Sequence, residues 1–193
     1  MTQKYHMTLA PQGLDDAGPE ALEVLQKAQR QVGFIPNMYA RMVNSPGLLE
    51  TYLDGYARFR EHSGFTPAEQ EVVFLTISRA NGCDYCMAAH SMIADSMSKV
   101  PVEVTDAIRN DQPIPDPRLS ALHRFTRHLL DSRGRPDQAE AAAFLTAGYS
   151  EVQILEIVLA IAVKTLSNWS NHLFHTPVDE MFAGRTWTME KEK

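Results

Sequence analysis

Residues 66–98, TPAEQEVVFLTISRANGCDYCMAAHSMIADSMS, carry the strongest secondary-structure signals in the chain. Thr66 is a good N-cap residue, the proline after it suits the first helical position, and Glu69 completes a capping box. An apolar run follows and stops at the helix-breaking pair Asn81-Gly82. The stretch therefore predicts two consecutive helices, the second of which begins at or just before Cys83.

The rest of the chain also has helical patterns, and no convincing period-2 strand is present. N-cap residues, prolines and glycines indicate further helices. We predict them at about residues 19–31, 36–44, 45–64, from 101, 118–132, 136–147 and 150–176. The last helix is predicted to break near Ser167–Asn168, and the tail from Phe182 is predicted to be polar and loose. The predicted fold class is all-α.

A faint internal repeat suggests how these helices are organised. A shift of 85 residues pairs Glu71 with Glu156, Cys83 with Asn168, Cys86 with Asn171 and His90 with His175. If this repeat is not accidental, the chain is a single domain over 1–193 built from two related helical hairpins. The first repeat would cover about 46–100 and the second about 118–182, followed by a polar tail over 183–193.

The composition argues against several classes of binding partner. The 193 residues include 18 Lys+Arg and 24 Asp+Glu, for a formal charge of −6. This acidic balance disfavours nucleic acid and anionic membrane as partners, because both need a positive surface. The N-terminus lacks the apolar core of a signal peptide, and we find no uncharged apolar stretch of about 20 residues. We therefore expect a cytoplasmic protein.

The only two cysteines form a Cys-x-x-Cys motif, Cys83-Asp84-Tyr85-Cys86. Two cysteines are too few for disulfides to hold a domain of this size together. Residues three apart on a helix share a face, however, so the two thiols can come close to each other. At a helix start the backbone N–H groups favour a thiolate, which on this argument makes Cys83 the attacking thiol. The pair could cycle between dithiol and disulfide.

Two further residues stand at spacings that suit proton transfer. His90 lies one turn beyond Cys86, and Glu71 lies on the preceding helix. If the two helices fold into an antiparallel pair, Glu71 returns beside the second helix and could take a thiol proton, with His90 relaying it. Alternatively, Glu71 is an ordinary solvent-facing residue and His90 is structural.

Other readings of the motif stay open at this point. One is a zinc-binding module that uses Cys83, Cys86, His90 and either His172 or His175. Another is a non-catalytic redox sensor or an assembly protein, since nine methionines and many amphipathic helices would suit contacts between subunits.

The motif Glu71-x11-Cys83-Asp-Tyr-Cys86-x3-His90 resembles the alkylhydroperoxidase AhpD and carboxymuconolactone decarboxylase-like family. The resemblance extends to 33–37, 44–46 and 175–179, which are similar to segments of the longer, peroxidase-related members. It covers roughly residues 30–182. It implies an all-α AhpD-like fold with pseudo-twofold repeats, and a homo-oligomer.

The resemblance also implies a thiol-dependent peroxidase that needs no cofactor. Its substrate would be a hydroperoxide and its partner an unidentified thiol/disulfide reductant protein. By motif position, Cys86 is the peroxidatic thiol, Cys83 is the resolving thiol, and Glu71 and His90 form the proton relay. This assignment conflicts with the helix-start argument that favours Cys83.

One position departs from the family pattern. Alkylhydroperoxidases of the family can carry a histidine directly before the second cysteine, whereas this chain has Tyr85. A phenol with a pKa of about 10 carries protons poorly at neutral pH. Activity towards peroxide could therefore be weak, or the substrate could differ. The decarboxylase branch lacks the cysteine pair, so lactone decarboxylation is disfavoured.

Overall fold

The computed structural model describes residues 4–189, and over that range it contains nine α-helices, one 3-10 helix and no strand. The α-helices are α1 (Pro19–Val32), α2 (Asn37–Met42), α3 (Pro46–His62), α4 (Pro67–Ala80), α5 (Asp84–Ser96), α6 (Val102–Asn110), α7 (Pro117–Asp131), α8 (Gln138–Thr146) and α9 (Glu151–Phe174). The 3-10 helix spans Glu180–Arg185. The predicted all-α fold is confirmed.

The predicted start of α4 has its full capping box. The Thr66 hydroxyl accepts a hydrogen bond from the backbone N–H of Glu69 at 3.3 Å, and the Glu69 carboxylate accepts one from the Thr66 N–H at 2.8 Å. These bonds satisfy donors that a helix start leaves unpaired. The helix therefore begins where the sequence predicts.

Helix α4 lies at the centre of the fold and packs against α5, α6, α7 and α9. Ten of its 14 residues are buried, including Glu71. At its end, Gly82 has a φ of 66°, a conformation that favours glycine. The chain reverses there, and the Cys83 N–H donates to the Ser78 carbonyl at 3.0 Å. Helices α4 and α5 thus form the antiparallel pair on which the relay hypothesis depends.

The predicted break near Ser167–Asn168 is wrong, because α9 continues to Phe174. Ser167 and Ser170 do not cap a new helix; their hydroxyls donate to carbonyls of the preceding turn, Ser170 to Leu166 at 2.7 Å. The Asn168 side chain accepts a hydrogen bond from Asn81 at 2.9 Å. The second half of the repeat therefore lies along one continuous helix, without a counterpart of the turn at Gly82.

Helix α9 is also the one described helix whose length and mean hydropathy, 1.4, would suffice to cross a membrane. One side of the helix packs against α2, α3, α4 and α5 and buries Lys164 and Asn168 completely. The opposite side exposes a stripe of large apolar side chains. These are Val152, Leu155, Val158, Trp169 and Leu173. The packing is that of a core helix with one uncovered apolar side.

The prediction of a loose polar tail is wrong for residues 183–189. Phe182 is buried, and the Arg185 guanidinium forms ion pairs with Asp95 at 3.0 Å and Asp106 at 2.7 Å. The Trp187 indole N–H donates to the Arg109 carbonyl at 3.0 Å. These contacts hold the segment against α5 and α6. The remainder of the predicted tail, 190–193, lies outside the described residues.

Candidate active site

The two thiols lie at the start of α5, next to the turn at Gly82. Cys83 is the N-cap residue and Cys86 lies in the first helical turn. Both are free thiols, and both are buried, with 0% of Cys83 and 2% of Cys86 exposed. The two thiols thus lie near each other as predicted, although neither sulfur lies at the protein surface.

Glu71 and His90 meet across the α4–α5 pair. The His90 Nδ1 lies 2.8 Å from a carboxylate oxygen of the fully buried Glu71, whose other oxygen accepts from Arg60. Burial alone raises the pKa of Glu71, but His90 and Arg60 outweigh it and lower that pKa. The carboxyl is therefore ionised and can only accept hydrogen bonds. The Nδ1 of His90 carries the proton, which leaves Nε2 as the free nitrogen.

The His90 ring is uncharged at neutral pH. Burial, followed by the positive charge of Lys164, lowers the pKa of His90 despite the attraction of Glu71. A neutral imidazole that is oriented by a carboxylate can accept a proton at one nitrogen while it donates at the other. This is the arrangement that a proton relay needs.

A cavity of about 450 Å³ opens beside these residues. Cys86, His90, Lys164 and Arg60 line it, whereas Cys83 does not. Aromatic and methionine side chains make up most of the remaining wall, including Phe34, Met38, Tyr39, Tyr52, Tyr56 and Met92. No carboxylate is found among the described residues that line it. The cavity is thus largely apolar, with two cationic side chains and one thiol on its wall.

Helix α9 contributes residues that our sequence reasoning missed. The Asn171 amide nitrogen lies 3.4 Å from the Cys86 sulfur and 3.8 Å from the Cys83 sulfur. The hydroxyl of Ser167 lies 3.9 Å from the Cys86 sulfur. The internal repeat in the sequence gave one signal for the position of Asn171, because it pairs Asn171 with Cys86. The thiol-free half of the chain therefore supplies part of the surroundings of the thiols.

Lys164 is a further missed residue besides Arg60, and its signal was a lone positive charge inside an apolar run. The side chain is fully buried, and its ammonium makes no hydrogen bond with any described residue. It lies 5.5 Å from the centre of the Phe74 ring, a cation–π distance.

The two thiols have opposite pKa shifts. Burial alone raises the pKa of Cys86, but a hydrogen bond from Cys83 and the charge of Lys164 bring it well below its usual range. The pKa of Cys83 is raised well above its usual range, first by its hydrogen bond to Cys86 and then by burial. Cys86 is therefore the thiol that ionises more readily, and Cys83 stays protonated. This arrangement disagrees with the helix-start argument for Cys83.

The hydroxyl of Tyr85 is engaged by a carboxylate and does not take part in the proton relay. Its hydroxyl donates to the Asp179 carboxylate, which also accepts from the Asn37 backbone N–H at 3.1 Å. Burial, together with this carboxylate, raises the pKa of Tyr85. The phenol therefore stays protonated and connects α5, the start of α2 and the segment before the 3-10 helix.

Tyr85→Phe is expected to destabilise the protein by about 2 kcal/mol, the usual cost of a lost hydrogen bond to a charged group. The rate at which Cys86 is alkylated should stay unchanged. Chemical denaturation and thiol alkylation measure the two effects, with the exposed Tyr5→Phe as the matched control. A slower thiol reaction in a Tyr85→Phe protein of full stability would contradict this structural role.

The residues proposed for zinc do not come together. His172 is exposed and lies 3.3 Å from the Gly82 carbonyl, and His175 stacks on the His6 ring at 4.7 Å. Between residues 4 and 189, no three Cys, His, Asp or Glu side chains are grouped closely enough to hold a metal ion. The zinc-binding alternative thus lacks a ligand set in the described part of the chain.

Known structures share the fold over nearly the whole chain. The AhpD core of an uncharacterized peroxidase-related protein from Ralstonia eutropha JMP134 has a TM-score of 0.77 at 22% identity, covering 97% of this chain and 100% of that one. The apo debrominase Bmp8 has a TM-score of 0.72 at 20% identity, with coverages of 91% and 94%. A peroxidase-related protein from Silicibacter sp. TM1040 has a TM-score of 0.72 at 17% identity, with coverages of 95% and 99%.

Sequence comparison adds a match to one protein family. The model of the carboxymuconolactone decarboxylase family matches residues 46–128, which include Glu71, Cys83, Cys86 and His90. Among curated proteins, none matches the chain significantly. The family match and the shared fold together confirm the resemblance of this chain to the alkylhydroperoxidase AhpD and carboxymuconolactone decarboxylase-like family.

Proposed function

We propose that the chain is a thiol-dependent peroxidase that cycles Cys83 and Cys86 between dithiol and disulfide. One observation carries the proposal. Cys86, whose pKa is lowered, lies on the wall of an apolar cavity, and Cys83 lies off that wall, with the Asn171 amide nitrogen within 3.8 Å of both sulfurs. A thiolate that faces a substrate-sized space, with a second thiol in reach, is what such a cycle needs.

The proposed reaction has two steps. The Cys86 thiolate attacks the terminal oxygen of a hydroperoxide, the O–O bond breaks, and the alkoxide leaves as an alcohol after it takes a proton. Cys86 becomes a sulfenic acid. The Cys83 thiol then attacks the sulfenic sulfur, water leaves, and the disulfide forms. A thiol/disulfide reductant protein must return two electrons and two protons in each turnover.

Glu71 and His90 serve the proton transfers in this scheme. Glu71 holds Nδ1 of His90, and His90 lines the same cavity as Cys86. We assign the free Nε2 to taking up a proton from solvent in the cavity and passing it to the leaving alkoxide, since Cys86 is already a thiolate. The relay is thus complete without a histidine at position 85.

A second candidate function is reductive dehalogenation of an aromatic ring. The cavity wall is rich in aromatic side chains, which suit a flat ring. A further similar structure is a cysteine-to-alanine variant of the debrominase Bmp8 in complex with 2,3,4-tribromopyrrole, at 19% identity and a TM-score of 0.74. In this reaction two thiols and an aryl bromide would yield the disulfide, the dehalogenated ring, bromide and a proton.

One experiment separates the candidates. Reduced protein is offered several hydroperoxides and, separately, 2,3,4-tribromopyrrole, while peroxide loss, bromide release and the Cys83–Cys86 disulfide are measured. Peroxide loss that matches disulfide formation supports the peroxidase, and bromide release supports the dehalogenase. Slow disulfide formation that no dithiol reductant can recycle indicates a redox sensor. Folded protein whose thiols both stay free after peroxide rules the peroxidase out.

We propose that the protein is a homo-oligomer in which the exposed apolar stripe of α9 contacts a second copy. Leu155 lies within this stripe and is 69% exposed. Leu155→Glu is expected to dissociate the oligomer, because a carboxylate loses its hydration in a protein interface. Analytical ultracentrifugation measures the effect, with the exposed Met97→Glu as the control. A wild-type monomer, or an oligomer that survives Leu155→Glu, would contradict the proposal.

A further inference from the structure

Lys164 poses a problem of charge. Its side chain is 0% exposed, and its ammonium makes no hydrogen bond with any described residue. A buried charge is costly unless an opposite charge lies close to it. The apolar stretch of α9 around Lys164 offers no such charge. The ammonium must therefore find an anion on the side where Lys164 lines the cavity.

The nearby carboxylates do not fill that role. Glu71 is already engaged by Arg60 and His90. Glu156 lies on α9, eight residues before Lys164, which puts it about 12 Å away along the helix axis. No acidic side chain is among the described residues that line the cavity. The remaining candidate is the sulfur of Cys86, which shares the cavity wall with Lys164.

The charges of the side chains around Cys86 sum to zero if this sulfur is ionised. Arg60 pairs with Glu71, and His90 is neutral. On the sides formed by α2 and α3, the titratable groups are Tyr39, Tyr52 and Tyr56, whose pKa values are raised mainly by burial, so all three stay neutral. Cys83 and Tyr85 on α5 are protonated as well. One cation without a partner remains, that of Lys164.

We propose that Lys164 is the counter-ion of the Cys86 thiolate and that it sets the redox balance of the thiol pair. The reduced site is then neutral overall and best suited to an uncharged substrate. Disulfide formation removes the negative charge of Cys86 and leaves the Lys164 ammonium uncompensated. The dithiol is thereby favoured over the disulfide, and the pair becomes more oxidising.

This inference deepens the proposed function, because a thiolate in the resting enzyme is what attacks the substrate. It can nevertheless be tested without any substrate. The fraction of thiolate and the equilibrium between dithiol and disulfide are properties of the chain alone. Asn171, which lies 3.4 Å from the Cys86 sulfur, supports the same thiolate with a neutral hydrogen bond.

The test compares Lys164→Met with wild type and with Lys164→Arg, which keeps the charge. The pKa of Cys86 is read from the pH dependence of its alkylation, and the disulfide equilibrium is measured against dithiothreitol. In Lys164→Met the thiolate fraction at pH values below the pKa should fall at least tenfold. The equilibrium constant for disulfide formation should rise about tenfold, a change in potential of about 30 mV. Lys164→Arg should keep values near wild type.

Lys27→Met is the matched control, because it removes one positive charge at the surface and should change neither quantity. A folded Lys164→Met protein with an unchanged pKa and potential overturns the proposal. If Lys164→Met does not fold, Lys164→Gln and wild type decide the matter, since a wild-type Cys86 that titrates in the ordinary thiol range also overturns it. If the protein reduces peroxide but Lys164→Met leaves the pKa and the potential unchanged, only the inference about Lys164 is wrong. If the pKa and the potential shift as expected but the protein does not reduce peroxide, only the proposed function is wrong.

Discussion

Cys86→Ser is expected to stop peroxide reduction, with a fall in rate of about three orders of magnitude or more, as is typical when a catalytic nucleophile is removed. The thiolate is the reacting species, and a serine hydroxyl does not ionise in this range of pH. Cys86 is the one thiol among the described residues that line the cavity, so no second thiol on that wall replaces it. Rapid-mixing measurement of peroxide loss in the fully reduced protein gives this rate.

Cys83→Ser is the matched control for this prediction. It should complete one turnover and then stop, because Cys86 can still be oxidised to a sulfenic acid that finds no partner. A sulfenic-acid trap followed by mass spectrometry should label Cys86 in this variant. If instead Cys83→Ser is inert and Cys86→Ser forms a sulfenic acid, the attacking thiol is Cys83, as its position at the helix start had suggested.

Glu71→Gln is expected to destabilise the protein by about 3 kcal/mol, in the range found when one partner of a buried ion pair is removed. The change leaves Arg60 without its opposite charge and leaves a single acceptor oxygen for the two donors Arg60 and His90. Urea denaturation at neutral pH measures the loss. Glu61→Gln is the control, because Glu61 is exposed and should change stability little.

The same carboxylate predicts part of the acid sensitivity of the protein. The pKa of Glu71 is lower in the folded chain than in an unfolded one, so its stabilisation is present above the unfolded pKa. It is lost as pH falls through the lowered folded pKa. Glu71→Gln should therefore lose less stability than wild type between neutral and acid pH. Parallel curves for the two proteins would contradict an ionised Glu71.

Short-range signals predicted much of the secondary structure. The capping box at Thr66 starts α4, and Asn81-Gly82 ends it, because the bonds involved join residues only a few positions apart. The same kind of reasoning predicted a break near Ser167 that does not exist. Serine and asparagine tolerate a helix interior when their side chains bond within the helix or across to a neighbour, as Ser170 and Asn168 do. A sequence pattern does not show which bond such a side chain makes.

The C-terminal segment is a second case in which the sequence does not show which bonds the side chains make. Residues 183–189 are polar enough to suggest a loose end, yet Arg185 and Trp187 bind side chains and a carbonyl of α5 and α6. Those partners lie some 80 residues earlier in the chain. Only the folded arrangement brings them within reach.

By itself, the sequence determined the all-α fold, the α4–α5 pair and four residues of the candidate site, because spacing along one helix or across one tight turn fixes which side chains are neighbours. The tertiary structure decided what surrounds the thiols. It buried Glu71 between Arg60 and His90, turned Cys86 towards the cavity, and brought Lys164 and Asn171 of α9 to the thiols of α5. The state of a thiol depends on the charges and the burial around it, and those come from residues far away in the chain.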